Sequence, residues 1–195
     1  MNTPNKLTIL RILLSPVFIV LFLDDSLYFR LGALLVFIIA AATDIADGYL
    51  ARRTGVITRF GTFIDPLADK ILVSSAFIAF VALDYARAWM VAVIIGREFL
   101  ITGLRSLAAY QGTVISSSPG AKIKTAMQMI SVALILVYIN VESIYEYRGE
   151  TISLFPPEQA KVVFDWMLGI TAGVTALTGI EYVVRYYPAL KTILR

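Results

Sequence analysis

Long apolar stretches separated by short polar segments dominate this chain. Each stretch is long enough to cross the hydrocarbon core of a membrane as a helix, and only helices and closed barrels satisfy their backbone hydrogen bonds in lipid. The pattern therefore predicts an all-α membrane protein with a single domain over residues 1–195. Its six transmembrane helices are predicted at about residues 7–23, 30–50, 62–83, 87–109, 124–141 and 162–184.

Charged residues interrupt the second, third and fourth of these apolar stretches. A charged side chain inside a membrane is costly, and it almost always faces the interior of a helix bundle or a water-filled cavity. We therefore expect these three helices to surround a polar cavity.

Basic and acidic residues alternate between the two ends of the predicted helices. Cytoplasmic loops carry an excess of Lys and Arg, so the basic end predicts cytoplasmic termini and a cavity open to the cytoplasm. The segment around 143–158 is then the longest predicted external loop. The basic end collects Lys6, Arg11, Arg52, Arg53, Arg59, Arg105, Lys122, Lys124, Arg185, Lys191 and Arg195. The acidic end collects Asp24, Asp25, Asp84, Glu142, Glu146, Glu150, Glu158 and Asp165.

The composition supports a membrane protein and narrows its chemistry. Hydrophobic residues make up 58% of the 195 residues and charged residues only 16%, whereas soluble domains are about one quarter charged. The chain has no Cys and no His, which excludes thiol chemistry and leaves acid–base work to carboxylates. The net charge of +3 is explained by the basic cytoplasmic end, and we predict no nucleic-acid partner.

Four aspartates, Asp44, Asp47, Asp65 and Asp69, lie within or beside the second and third apolar stretches. Carboxylates gathered near hydrocarbon repel one another unless a cation lies between them. Oxygen ligands without Cys or His favour Mg²⁺, Mn²⁺ or Ca²⁺ over Zn²⁺. The cluster therefore predicts a site for a divalent metal.

The spacing of the aspartates places them on helix faces. Asp44, Asp47, Gly48, Ala51 and Arg52 follow the i, i+3, i+4, i+7, i+8 pattern of one helical stripe. The small residues on that stripe leave room for a large group to approach the helix backbone. Asp65 and Asp69, four residues apart, share a face of the next helix after a turn predicted at residues 53–55, so two helices present two carboxylates each to one space.

The aspartate string resembles the complete signature of the CDP-alcohol phosphatidyltransferase family. In this sequence it reads Asp44-x2-Asp47-Gly48-x2-Ala51-Arg52-x8-Gly61-x3-Asp65-x3-Asp69. Further segments resemble the branch of that family that forms phosphatidylglycerol phosphate, and the likeness extends over about residues 4–130. One departure is Ala121, where this branch has Gly directly before the Lys. The additional segments are residues 4–11, 65–70, 96–99, 103–105 and 122–129.

The resemblance implies a membrane-embedded bundle that transfers the phosphatidyl group of CDP-diacylglycerol to glycerol 3-phosphate and releases CMP. It implies two Mg²⁺ or Mn²⁺ ions held by the four aspartates, with Asp69 also acting as the general base. It implies that Gly48, Ala51, Arg52 and Gly61 bind CDP-diacylglycerol. A homodimer in the bacterial inner membrane, in contact with membrane lipids, is a further implication.

The acceptor requires a second site, and bases are available for its phosphate. Arg97, Arg105, Lys122 and Lys124 lie on the predicted cytoplasmic face of the fourth and fifth helices, and Arg binds phosphate through two parallel hydrogen bonds. For Lys122 and Lys124 an ordinary cytoplasmic loop is the alternative interpretation. For Arg97 the alternative is an internal ion pair with Glu98.

Asn5 and Thr8 are weaker candidates at the mouth of the first helix. Together with Arg11 they are spaced three residues apart, so they could contact the nucleotide or a phosphate, or simply cap and anchor the helix.

Three other functions are compatible with parts of the pattern. Within the same chemistry, the acceptor could be phosphatidylglycerol, inositol phosphate or serine. A channel or transporter for divalent cations would also place carboxylates inside a bundle, but the helices beyond the aspartates are plain Leu, Ile, Val and Ala. A structural membrane protein would leave the aspartates without an explanation.

Overall fold

The computed structural model describes the backbone of residues 3–54, 59–110, 119–149 and 156–193. It describes the side chains of residues 8–43, 67–68, 70–109, 120, 122–149 and 156–186. The described residues form six helices and no strand. The helices are α1 (Thr3–Phe22), α2 (Leu27–Thr54), α3 (Arg59–Ala82), α4 (Ala88–Tyr110), α5 (Pro119–Tyr147) and α6 (Pro157–Ile193).

For the described residues the prediction of an all-α chain is confirmed, and each predicted apolar stretch lies within one helix except for at most one residue at an end. The helices extend beyond the apolar stretches because polar residues at the ends continue the same backbone hydrogen bonds. Two predictions at helix ends are therefore wrong. The turn predicted at residues 53–55 begins too early, because α2 continues to Thr54. The loop predicted around 143–158 is shorter, because α5 continues to Tyr147 and α6 begins at Pro157.

The connections at one end of the bundle have defined caps. The backbone amide of Ser26 donates to the Asp24 carboxylate at 2.8 Å just before α2. After α3, Asp84 adopts a φ of 61°, and the amides of Asp84 and Tyr85 donate to the carbonyls of Val81 and Phe80. This pair of bonds is a Schellman motif, which satisfies carbonyls that a helix end leaves free.

The helices pack in an order that differs from the chain order. Helix α1 packs against α2 and α3, α4 packs against α3 and α6, and α5 packs against α2, α3 and α6. Aromatic rings join the first three helices. Phe18 of α1 lies 5.4 Å from Phe37 of α2, and Phe22 of α1 lies 6.1 Å from Phe80 of α3, between ring centroids. In the described part of the chain, the backbones of α4 and α5 do not come close to each other, and these two helices meet through side chains.

The outer surface of the bundle is apolar as well as its core. Large apolar side chains such as Val20, Leu35, Val137 and Leu177 are more than half exposed, which is the pattern of helices surrounded by lipid rather than water. By length and composition, the segments Lys122–Tyr147 and Pro157–Tyr186 can each cross a membrane. Among the described residues, α4 does not pass the same test because charged residues interrupt it.

Candidate active site

A cavity of about 420 Å³ opens where α4 and α5 are separated. Side chains of α3, α4, α5 and α6 form its wall, and the charged ones are mostly basic. One acidic residue accompanies five basic residues in this wall. These charged residues, which we call the cavity cluster, are Lys70, Arg97, Glu98, Arg105, Lys122 and Lys124.

Glu98 is the centre of the cavity cluster. Its carboxylate forms ion pairs with Lys124, with Arg97 at 3.3 Å and with Lys70 at 3.8 Å. The Gln128 amide donates to the same carboxylate at 3.4 Å. The Glu98 side chain is only 8% exposed, so a single buried carboxylate links α3, α4 and α5. It offsets the repulsion among bases that would otherwise face one another at low dielectric.

The Arg97 side chain lies against α6 at Gly179, where that helix has no side chain. Its Nη2 donates to Thr178 Oγ1 at 3.4 Å, and its side chain is 11% exposed. A Cβ added at Gly179 would lie 2.9 Å from Arg97 Cγ, which is closer than atoms pack. Because Gly179 has no side chain, the arginine can lie across the helix at this point.

The four predicted acceptor-binding residues, Arg97, Arg105, Lys122 and Lys124, all line this one cavity. Lys124 is buried and paired with Glu98, so the interpretation of Lys124 as an ordinary loop residue is wrong. Lys122 and Arg105 are exposed at the cavity edge. The ion pair of Arg97 with Glu98 is present, and Arg97 lines the cavity as well, so the two interpretations of Arg97 hold together.

The sequence prediction named four residues of the cavity wall, and Lys70 and Tyr182 are among the wall residues that it did not assign to this site. Lys70 directly follows Asp69 of the aspartate motif on α3. A base at that position was a sequence signal that could have predicted its place in the site. Tyr182 comes from α6, in the part of the chain beyond residue 130 where the family resemblance is weakest. Its place in the wall depends on the packing of α6 against α4, and no local sequence signal predicted it.

The side chains of Asp44, Asp47, Asp65 and Asp69 lie outside the described side chains, and the same holds for Gly48, Ala51, Arg52, Gly61 and Asn5. Their backbones lie within α2, α3 and α1, so the helical spacing on which the metal prediction depends is present. Four carboxylates on two consecutive helices are a donor set that suits Mg²⁺ or Mn²⁺. Among the side chains that are described, no group of three or more acidic residues could hold a metal ion.

Thr8 is described, and it is buried within the bundle together with Arg11. Neither residue lines the cavity that contains the cavity cluster. Their burial is compatible with anchoring of α1, and a contact of Asn5 or Thr8 with the nucleotide or a phosphate stays a prediction.

The fold and the cavity define a helical protein with an apolar outer surface and a basic pocket whose Lys70 directly follows the last of the four aspartates. The family model for CDP-alcohol phosphatidyltransferase matches residues 1–177. The chain therefore belongs to the CDP-alcohol phosphatidyltransferase family. Proteins of this family are membrane proteins and generally depend on divalent metals.

Several bacterial relatives carry the name CDP-diacylglycerol–glycerol-3-phosphate 3-phosphatidyltransferase. The relative from Bacillus subtilis is 40% identical over 203 residues, which cover 98% of both chains. The relative from Pseudomonas fluorescens is 35% identical over 98% of this chain and 93% of its own. The relative from Escherichia coli K12 is 38% identical over 79% of this chain and 85% of its own.

Proposed function

We propose that this protein transfers the phosphatidyl group of CDP-diacylglycerol to glycerol 3-phosphate, giving phosphatidylglycerol phosphate and CMP. The relatives named above support both substrates. The single observation that carries the proposal is the place of Lys70. It directly follows Asp69 on α3, and it lines the basic cavity together with Arg97 and Lys124. A phosphate-binding pocket therefore begins one residue from the aspartate motif.

The cavity cluster binds the phosphate of glycerol 3-phosphate. Its five bases exceed its single acid by four charges, and a dianionic phosphate offsets two of them. Arg97 and Arg105 offer planar guanidinium groups that match two phosphate oxygens at once. Lys122 and Lys124 act as point charges from the other side of the cavity. The acceptor hydroxyl is then oriented toward α3 and the aspartate motif.

Asp44, Asp47, Asp65 and Asp69 would hold two ions of Mg²⁺ or Mn²⁺. When bound, these ions neutralise the diphosphate and stabilise the attacking and leaving oxygens of an in-line displacement. Asp69 also takes the proton from the acceptor hydroxyl as that oxygen forms its bond to the phosphatidyl phosphorus. The bond from that phosphorus to CMP breaks in the same step, and CMP leaves with the electron pair.

The stripe formed by Gly48, Ala51 and Arg52 on α2 binds the cytidine side of CDP-diacylglycerol, with Gly61 at the start of α3. The helical backbone of both segments supports this assignment. Small residues let the nucleotide approach the helix, and the guanidinium of Arg52 donates to the diphosphate.

We further propose one domain over residues 1–195, with all six helices crossing the bacterial inner membrane and both termini in the cytoplasm. The surplus of bases at the end of the bundle that contains the cavity supports this orientation. The cavity then opens to the cytoplasm, where glycerol 3-phosphate is dissolved. The family resemblance favours a homodimer, which sedimentation in detergent would test.

An assay of the purified protein tests the proposed function directly. CDP-diacylglycerol is offered with glycerol 3-phosphate, phosphatidylglycerol, inositol phosphate or serine, and CMP release is followed at saturating Mg²⁺. We expect turnover with glycerol 3-phosphate to exceed that with each of the others. Preferred use of another acceptor would contradict the assignment of the pocket.

A channel for divalent cations is disfavoured, because the bases in the cavity wall outnumber the single acid.

A comparison of two variants tests the proposed role of Asp69. Asp69→Asn should lose kcat and retain measurable binding of CDP-diacylglycerol, because a general base acts only in the chemical step. Asp44→Asn should lose binding as well, because Asp44 is assigned to metal and diphosphate. Equal loss of binding in both variants at saturating Mg²⁺ would mean that Asp69 is only another metal ligand.

A further inference from the structure

One face of α6 packs toward α4, and this face contributes Tyr182 to the cavity wall. Thr175, Thr178, Gly179 and Tyr182 lie on this face, because residues three, four and seven positions apart share one side of a helix. Thr178 and Gly179 contact Arg97, and Tyr182 reaches the cavity wall itself. The packing of α6 against α4 therefore brings Tyr182 to the wall of a cavity lined mostly by cations.

Three hydrogen-bond donors on this face and on the arginine packed against it lack partners among the described residues. They are Tyr182 Oη, Arg97 Nε and Thr175 Oγ1, and only the first two belong to residues that line the cavity. Tyr182 Oη and Arg97 Nε are both shielded from solvent. Buried polar atoms in native proteins are normally hydrogen-bonded. Two unsatisfied donors in the wall of one cavity indicate a ligand that is rich in acceptors, and a phosphate group has several acceptor oxygens.

We propose that Tyr182 Oη donates a hydrogen bond to a phosphate oxygen of glycerol 3-phosphate, an inference that rests on the proposed function. Tyr182 lines the same cavity as Arg97 and Arg105, the two arginines assigned to that phosphate. Tyr182 is then a binding residue contributed by α6, and the acceptor pocket has donors from α4, α5 and α6.

A neutral donor suits this position better than another cation. Five bases already share the cavity with a single carboxylate, and each added cation would increase their mutual repulsion when the pocket is empty. A phenol adds a directed hydrogen bond to the bound phosphate without adding charge to the empty pocket.

Tyr182→Phe tests this proposal, because it removes the hydroxyl and retains the ring. The matched control is Tyr186→Phe, whose ring packs against Tyr182 with centroids 4.9 Å apart but does not line the cavity. Binding of glycerol 3-phosphate and of inorganic phosphate to the purified full chain is measured by calorimetry, alongside the KM values in the CMP-release assay. We expect Tyr182→Phe to weaken binding of both compounds by about tenfold, since hydrogen bonds to charged groups are the stronger ones. The KM for CDP-diacylglycerol and all values for Tyr186→Phe should stay unchanged.

Three results would overturn the proposal. The first is unchanged affinity in Tyr182→Phe, and the second is an equal loss in Tyr186→Phe. The third is a loss for glycerol 3-phosphate without a loss for inorganic phosphate, which would assign the hydroxyl to the glycerol part. Absence of CMP release by the wild-type chain would instead contradict the proposed function, and the calorimetric comparison would still decide the role of Tyr182.

Discussion

Charges are arranged differently at the two ends of this helix bundle. Near the connections from α1 to α2, from α3 to α4 and from α5 to α6, three bases each have a carboxylate partner of their own. We call these residues the paired cluster. It contains Arg30 with Asp25 at 2.7 Å, Arg87 with Asp165 at 2.6 Å and Lys161 with Asp84 at 2.9 Å. The cavity cluster instead has five bases around Glu98 alone.

The difference separates charges that hold helices together from charges that are available to a ligand. A surface ion pair with matched partners contributes little, about 0–1 kcal/mol, and it leaves no surplus charge. A surplus of one sign around a pocket whose inner charges are shielded from water is costly by itself, and a protein retains it where an opposite charge arrives with a ligand. The comparison therefore predicts that substitutions in the cavity cluster mainly lower activity. Substitutions in or near the paired cluster should leave activity unchanged and lower at most the stability.

The largest expected effect comes from the aspartate motif. Loss of a residue that only hydrogen-bonds to a metal ligand typically costs about 10–100-fold in metal affinity or activity. Asp44→Asn should lower turnover by more than this, because it removes a metal ligand itself. EDTA should abolish turnover of the wild-type chain. The control is Asp84→Asn in the paired cluster, since Asn also tolerates the positive φ found there. Activity of Asp44→Asn at the level of the control would contradict the metal site.

The next effect concerns the acceptor phosphate. Arg97→Ala should raise the KM for glycerol 3-phosphate by about 10–100-fold, since hydrogen bonds to charged groups contribute roughly 1.5–3 kcal/mol. The KM for CDP-diacylglycerol should change much less. Arg87→Ala is the matched control, because Arg87 pairs with Asp165 and is 63% exposed. A larger change in the KM for CDP-diacylglycerol would reverse the assignment of the pocket.

A smaller effect is expected from a side chain added at Gly179, the residue of α6 against which Arg97 lies. Gly179→Ala should raise the KM for glycerol 3-phosphate several-fold, because the new Cβ displaces the Arg97 side chain. Gly173→Ala, on the same helix, places its Cβ where no atom lies within 4 Å and should leave the KM unchanged. In a double variant with Arg97→Ala, Gly179→Ala should add nothing further. An additional loss in that double variant would indicate general damage to α6.

The smallest effect lies near the paired cluster and should appear in stability alone. Tyr85 donates a hydrogen bond to Glu142 of α5, so Tyr85→Phe should lower the melting temperature in detergent by about 2–4 °C per kcal/mol lost. Burial, followed by the bond to Glu142, raises the pKa of Tyr85. This stabilisation is therefore fully present below about pH 10, the ordinary value, and is lost as the pH rises through the higher folded value. Turnover should stay unchanged, and a loss of turnover would contradict the separation of the two ends.

Much of the fold and part of the site could be predicted from local patterns. The six helices follow from apolar stretches whose length matches a membrane, and their ends were misplaced only where polar residues such as Arg53 and Thr54 extend a helix. Arg97, Arg105, Lys122 and Lys124 could be named because bases within or beside apolar stretches are costly without a function. Tyr182 could not, because an aromatic residue near a helix end is equally typical of a membrane interface.

The sequence by itself determined the helical class, the spacing of the four aspartates on two helices and the family to which the chain belongs. These properties depend on residue type and on periods of three to four residues, which neighbours along the chain specify. Only the tertiary structure decided that Glu98 joins three helices, that Gly179 makes room for Arg97 and that Tyr182 reaches the cavity. Each of these contacts joins residues that are distant in sequence or on different helices, and their distances depend on how the helices pack rather than on any local pattern.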